Sequence, residues 1–511
     1  MKKVLRFINN YKITILFILL LLLGIFIRIY KIDLYPSLLN QDEASSAYEA
    51  FSILNYGIDR NGMSYPVHLI AWGSGQNILY SILLMPFVNI IKNINLMVRL
   101  PMSLISSFTL VVCYLFIIKR YRNKYGLLAF FLIVIMPWHI MKSRWGLESN
   151  IFPDLFLYGL ILLYNGIENN KNIYYILSSI VFGISIYSYG TSYVFIPVFM
   201  FITYLYLFIT KKVKFKNIIL YFSVTILVSL PMILFVLINY FDLNQIKILG
   251  ITIPKLYYNR FTTITSVNGN FITNCIYNLK NTFKLIVFQN DNLVYNYIEN
   301  YGIYYFVSLP FIIYGIIISL KDFKKNNIYK LNIFYLIASL VVCAMVEVNI
   351  NRINCLWFSL LIFLIIGLFK LIKDNKFYIT VFLTYSILFV LFIHTYFSSY
   401  QNKFNNNGIE DVYNYVSKIN YERLYITNKI HEPYIYYLLY NRVNPNDYLK
   451  TRVIENENEM FQKIVSIDNV YFNLGEKIND NEVYIIDKNE NIINSCNEKI
   501  IGDFKVINCV K

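Results

Sequence analysis

Asp42 and Glu43 stand side by side in a polar loop, Asn40-Gln41-Asp42-Glu43, directly after the first apolar stretch of the chain. Carboxylates beside a bilayer are costly unless they are paired, solvated or chemically engaged. A carboxylate in such a position suits general-base work, taking the proton from a hydroxyl as its oxygen attacks. Neighbouring residues on a helix point about 100° apart, so the two acids cannot both face one reacting atom. One would act; the other would orient, bind a metal ion or cap a helix. Asp42 as the cap of a helix over 44–54 is an equally compatible reading.

Other polar residues gather in similar places. Pro137 to Asn150 ends one apolar stretch and opens the next, and it carries His139, Arg144 and Glu148. Asn351 and Arg352 sit at the end of another pair of stretches. A guanidinium is suited to a departing phosphate, which it can hold through two parallel hydrogen bonds. Each residue also has a plain structural reading. Arg144 and Glu148 have the spacing of a helical ion pair, Arg352 and Arg28 can snorkel to headgroups, and a packed, hydrogen-bonded His139 needs no substrate. The histidines lack zinc-ligand spacing. A divalent cation, magnesium or manganese, held by Asp42 or Glu43 together with phosphate oxygens is compatible with the residues.

These residues need elements to position them, and composition says which. The 511 residues are 57% hydrophobic and only 15% charged, and apolar runs of membrane-spanning length recur. The chain reads as a polytopic helical membrane protein. Its net charge of +16 does not indicate nucleic acid, because the basic residues cluster in short loops between apolar runs. Placing the N-terminus and the clusters at 119–124, 211–216, 321–330 and 370–376 on the cytoplasmic side gives about eleven crossings. These are 13–30, 98–118, 126–140, 152–168, 172–188, 193–210, 217–239, 303–320, 330–346, 354–372 and 377–397. Asn77 to Ile91, short and interrupted by Pro86, is then laid in the interface.

Every polar feature named above falls on the outer side in this topology. So do two long loops, 31–97 and 240–302, the second a candidate for further interface helices. Residues 1–397 form the membrane domain, and 398–511 read as a small extracytoplasmic α/β domain. In the latter, helices are expected at 408–419 and 433–440 and strands at 423–427, 482–486 and 504–510. Cys496 and Cys509 either bridge or remain free thiols; spacing does not decide.

The first span, the Asp42-Glu43 pair beyond it and the interface helix together resemble the GT-C superfamily of membrane glycosyltransferases. The likeness is nearest its family-39 branch, relatives of protein O-mannosyltransferases and aminoarabinose transferases. Arg99-Leu100-Pro101, the run from Pro137 to Glu148, and Asp291 to Asn296 are similar to features of that branch. The resemblance covers about residues 10–400. It implies inverting transfer of a sugar from a polyprenyl-phosphate carrier to an extracytoplasmic acceptor hydroxyl at a multi-pass plasma-membrane protein. It also implies that Asp42 is the base with Glu43 completing the pair, and that Glu148 is the second-loop acid, where Asp is expected in relatives. Arg144, Arg352, His139 and Asn351 are the candidates for the donor phosphate. No cofactor beyond a divalent cation is implied.

Two other classes share some of these features. A flippase or transporter of lipid-linked glycans would want ionisable residues deep in its spans and repeat symmetry. A glycan polymerase or ligase would share the outer polar face and differ in the placement of Asp42-Glu43. A structural scaffold leaves the one-sided polar clustering unexplained.

Overall fold

The computed structural model describes residues 2–37, 39–259, 270–404, 408–474, 479–490 and 496–510. In chain order the described helices are α1 (Lys2–Ile29), α2 (Gln41–Tyr56), α3 (Leu79–Val88), α4 (Ile94–Arg120), α5 (Lys124–Ile135), α6 (Pro137–Lys142), α7 (Phe152–Asn169), α8 (Asn172–Ser185), α9 (Ser192–Ile209) and α10 (Phe215–Tyr240). They continue with α11 (Phe271–Phe288), α12 (Leu309–Lys321), α13 (Asn327–Met345), α14 (Trp357–Leu371), α15 (Asn375–Tyr396), α16 (Ile409–Val416), α17 (Pro433–Tyr440) and α18 (Pro445–Thr451).

Among the described residues, eight helices have the length and apolar composition to cross a membrane. They coincide with eight of the expected crossings. The expected crossings at 126–140, 172–188 and 303–320 fall on shorter apolar helices. The first of these is cut by sequence chemistry: Pro137 has no N–H to continue α5, so the chain breaks at Met136 and Pro137 begins α6 at a position that tolerates it. The stretch assigned to the interface contains α3, whose ten residues reach about 15 Å, half of a hydrocarbon core.

The chain divides into two compact units. The first comprises residues 1–32, 99–230 and 261–400. Within it α12 and α14 approach backbone to backbone. A Cβ on Gly315 would lie 1.9 Å from the Phe363 carbonyl oxygen, and one on Gly367 would lie 2.0 Å from that of Phe311. Small residues allow such close approach where lipid supplies no hydrophobic drive between helices. Helix α11, from the long 240–302 loop, packs through Asn278, Thr282 and Leu285, with Asn278 Nδ2 donating to the Ala344 carbonyl at the end of α13 (3.0 Å). Its other side exposes Ile272, Ile276 and Phe283, an amphipathic build that suits an interface.

The second unit comprises 33–98, 231–260 and 401–511. Here the first loop packs on the C-terminal domain: Tyr436 of α17 donates to the Leu39 carbonyl (3.0 Å), and Tyr48 of α2 donates to that of Val443 (2.8 Å). A hairpin of β1 (Ile246–Ile248) and β2 (Ile251–Ile253) joins the loop through Val67 N–H and the Thr252 carbonyl (2.9 Å). The domain's sheet has β3 (Arg423–Ile426), β4 (Arg452–Ile454), β5 (Ile464–Ile467), β6 (Val470–Tyr471), β7 (Glu482–Asp487), β8 (Asn497–Ile501) and β9 (Phe504–Asn508). Their order is β4-β5-β6-β3-β7-β9-β8, with β3 parallel to both β6 and β7 and the other pairs antiparallel. The five expected elements of this domain are present within a few residues; α18, β4, β5, β6 and β8 were not foreseen. Cys496 and Cys509 are bridged across the β8–β9 hairpin, Cα atoms 4.9 Å apart.

Because the glycine contact meets backbone rather than a movable side chain, Gly367→Ala should destabilise the helix pair by about 1–3 kcal/mol. Thermal unfolding in detergent would show it, whereas Gly190→Ala, with only Tyr193 at 4.0 Å, should leave the midpoint near wild type.

Candidate functional site

Helix α2 begins with Asn40, whose side chain accepts from Asp42 N–H (2.8 Å). Glu43 completes the reciprocal arrangement by accepting from Asn40 N–H (3.0 Å), and it is fully buried. This capping box satisfies two helix-end donors. The cap is therefore Asn40 in place of the expected Asp42, and Glu43 is its partner; Asp42 stays half-buried. Asp42 lies within electrostatic reach of Glu432 and Tyr436, at the start of and within α17. Burial first, and then the charge of Asp42, push the Glu432 carboxyl up to about 7 against the opposing pull of Arg60.

Arg60 anchors the adjoining part of the first loop. Its Nε lies 3.2 Å from Glu49, its backbone N–H donates to the same carboxylate (3.0 Å), and its guanidinium sits 4.4 Å over Trp72. Asp59 accepts from Asn61 and Met63 N–H (2.9 and 2.8 Å). Burial raises both Glu49 and Asp59 above the usual carboxylate range.

The remaining predicted residues belong to the first unit. Arg144 is wholly buried and its five N–H groups are committed. They donate to the carbonyls of Ile27 (2.8 Å), Arg28 (3.3 Å), Tyr30 (2.8 Å) and Lys31 (3.2 Å) and to the Tyr396 hydroxyl (3.2 Å). It closes the C-terminus of α1, where the last carbonyls lack partners, and so is not open to a phosphate. The helical spacing with Glu148 does not apply, because α6 ends at Lys142 and Glu148 opens a separate 3-10 turn, half-buried, within electrostatic reach of Tyr193.

His139 is equally enclosed. Its Nδ1 faces Arg28 Nη2 (2.5 Å) and its Nε2 faces Asp154 Oδ1 (3.2 Å), which assigns the proton to Nε2. Lys142 donates to Asp154 Oδ2 (2.5 Å) and Ser106 to the same oxygen (3.3 Å). Arg28 thus turns inward and does not snorkel. Formally two cations stand against one carboxylate. Lys142 also lines a small recess with Trp138, Trp145, Asn150, Asn296 and Asn351. Asp291 fixes two of its walls by accepting from Asn296 Nδ2 (2.5 Å) and Ile350 N–H (2.9 Å). Arg352 is partly exposed and pairs with exposed Glu347, a surface ion pair of about 0–1 kcal/mol that a ligand can displace.

The sequence reading missed Asp154, Lys142 and Glu432. Asp154 left a signal, an acid two residues into an apolar helix. Glu432 left none. Among the described residues no three His, Cys, Asp or Glu side chains converge as metal ligands; Asp42 and Glu432 offer two carboxylates, and Glu43 is committed to its cap.

Residues 62–348 match the family described as oligosaccharyl transferase STT3, N-terminal. The chain belongs to this STT3 family. The match takes in His139, Arg144, Glu148 and Asp154, while Asp42 and Glu43 precede it and Asn351 and Arg352 follow it. No curated protein sequence matches the chain. Among solved structures, this STT3-family chain is similar to the Archaeoglobus fulgidus oligosaccharyltransferase in its apo form (TM-score 0.53, 11% identity), over 85% of this chain and 64% of that one. It is also similar to that enzyme's complex with zinc and sulfate (TM-score 0.51, 12% identity, 83% and 61% covered). A third likeness is ArnT from Cupriavidus metallidurans bound to undecaprenyl phosphate (TM-score 0.55, 10% identity, 84% and 85% covered). The STT3-family chain therefore spans somewhat under two thirds of the archaeal enzyme's length. Its fold is that of the GT-C membrane glycosyltransferases, a multi-pass helical protein with a C-terminal sheet domain.

The Glu432 shift fixes the sign of a pH effect. With a folded value near 7 and an ordinary value of 4.5, the folded state holds the extra proton between them. Its contribution to stability is present below 4.5 and is lost as pH rises to 7. Thermal midpoints of the wild type should fall across that window, and Glu432→Gln should flatten the fall.

Proposed function

We propose that this STT3-family protein is an inverting glycosyltransferase that moves a sugar from a polyprenyl-phosphate carrier to a hydroxyl of an extracytoplasmic acceptor. The observation that carries this reading is the separation of roles in the first loop. The capping box uses the side chains of Asn40 and Glu43, and Asp42 stands half-buried on the same first turn, within electrostatic reach of Glu432. Asp42 takes the acceptor proton; the freed oxygen lone pair forms the new bond at the sugar C1; the C1–O bond to phosphate breaks with its electrons, and the polyprenyl phosphate departs. Glu432, whose carboxyl is pushed up to about 7, adds little negative charge beside Asp42 below neutral pH.

The recess in the first unit supports an anionic donor. It presents Lys142 from a cluster with one excess positive charge, amide groups from Asn150, Asn296 and Asn351, and indole walls. Charge-assisted hydrogen bonds of this type suit a phosphate oxygen, and the recess, at about 10 Å³, has room for a group of about that size. Arg352 is the remaining guanidinium candidate for the phosphate. A divalent cation, when bound, would be held by Asp42 or Glu432 together with phosphate oxygens of the donor, and would offset the charge of the departing phosphate. Basic loops facing the cytoplasm and a bridged Cys496–Cys509 pair support an outer position for the C-terminal domain.

A second reading, transfer of an oligosaccharide to a peptide amide, is favoured by the STT3 match alone. The likeness to ArnT bound to undecaprenyl phosphate, with 84% of this chain and 85% of that one covered, supports the first.

Transfer from radiolabelled polyprenyl-phosphate sugars to membrane acceptors would test the assignment. Asp42→Asn should lower turnover by about 10²–10⁴-fold with donor binding retained. Glu43→Ala should instead cost about 0.5–2 kcal/mol of stability while turnover per folded molecule survives. Full turnover by folded Asp42→Asn protein would remove the base. Separately, Arg352→Ala should weaken donor binding about tenfold with little change in the pH profile of turnover; a titration unchanged from wild type would remove the phosphate contact.

A further inference from the structure

A second cavity lies inside the first unit, among α4, α5, α7, α13 and α14. It measures about 210 Å³ and is lined almost wholly by apolar side chains, among them Cys113, Ile133, Leu160, Leu361 and Ile366. An apolar cavity of about 150 Å³ already stays dry and takes up hydrophobic guests. Along α14 the lining runs from Phe358 to Phe369, which at 1.5 Å per residue is roughly 16 Å. That is about half of a 30 Å hydrocarbon core, the depth of one leaflet.

The two ends differ. At one end Phe358 closes the cavity, its ring centroid 5.3 Å from those of Trp138 and His139, so the polar recess lies behind a wall of aromatic rings. The other end is formed by Tyr121, Tyr164, Asn326, Tyr329 and Phe369, beside the basic inter-helix loops. Arg120 places its guanidinium 4.2 Å from the Phe116 ring and 5.1 Å from the Tyr164 ring, both part of the lining. Lys124 lies over Tyr125, whose ring meets Phe369 edge-on at 5.7 Å. Lys330 and Lys370 stand on the flanking helices, and the acids nearby are Glu168 and Asp322, the latter paired with Lys325 and Lys370.

We infer that this cavity binds one acyl chain of an anionic phospholipid of the cytoplasmic leaflet, whose headgroup is held by Arg120 and Lys124. Depth and charge both favour that occupant. A chain of single-leaflet length fills the cavity from the basic end, where each cation near an anionic headgroup contributes about 1 kcal/mol, or roughly fivefold in binding. A carrier entering from the opposite side would meet the Phe358 wall. The inference does not depend on the glycosyl-transfer reading.

The test uses the full-length protein in phosphatidylcholine nanodiscs doped with phosphatidylglycerol bearing a diazirine on one acyl chain. Illumination should label peptides covering 113–121, 157–164 and 358–369. Unlabelled phosphatidylglycerol should compete, and phosphatidylcholine should not. Leu160→Trp and Ile366→Trp, which fill the cavity, should abolish the labelling, and Arg120→Gln with Lys124→Gln should lower the preference for the anionic lipid by about 25-fold. Labelling confined to lipid-facing residues such as Phe108 and Leu115, both more than half exposed, would overturn the site even if every variant failed to fold. Equal competition by phosphatidylcholine, or competition by polyprenyl phosphate alone, would overturn the occupant.

Discussion

Asp154 is the hub on which the first unit depends. A carboxylate near the start of an apolar helix has no water to turn to, so the protein surrounds it with Lys142, His139 and Ser106, and His139 in turn meets Arg28. That set draws α1, α4, α6 and α7 together at one level. Removing Asp154 would leave Arg28 and Lys142 buried without their counter-charge, which costs far more than the pair gains by forming. The network also explains why the α5–α6 break is tolerated: the short α6 carries His139 and Lys142 to the acid, and the Pro137 break sets their direction.

The second unit solves a similar problem with a different residue set. Glu49, Asp59 and Arg60 are buried together, with Arg60 resting on Trp72. Asp59 and Arg60 lie in a turn among Gly57, Asn61 and Gly62, and the two carboxylates are held by backbone N–H groups as much as by the guanidinium. A rigid first loop follows from this, and Asp42 is carried on the helix that the same loop packs.

Much of the fold was legible because hydrophobic length and loop charge report directly on a bilayer. Apolar runs gave the spans, and the short, Pro-containing stretch around α3 was separated by the same logic. The C-terminal elements with strong alternation or a turn signal, β3, β7, β9 and α17, could be read; the short β4 to β6 segments carry too little pattern. Side-chain roles were less legible. Arg144 looked like an anion binder because its partners are main-chain carbonyls of α1, more than a hundred residues away in sequence and invisible to any motif. Glu43 looked like half of a catalytic pair because a capping box and an acidic dyad share the same letters. Glu432 was unreadable, since only the packing of α17 on α2 brings it near Asp42.

The Cys496–Cys509 bridge has a consequence for how the exposed tail ages. It ties the start of β8 to the end of β9, so a protease that nicks the turn at Gly502 leaves both pieces covalently joined and still laddered to one another. Damage of that sort would pass unnoticed until a reductant arrives, and β9 would then be held only by its ladders to β7 and β8.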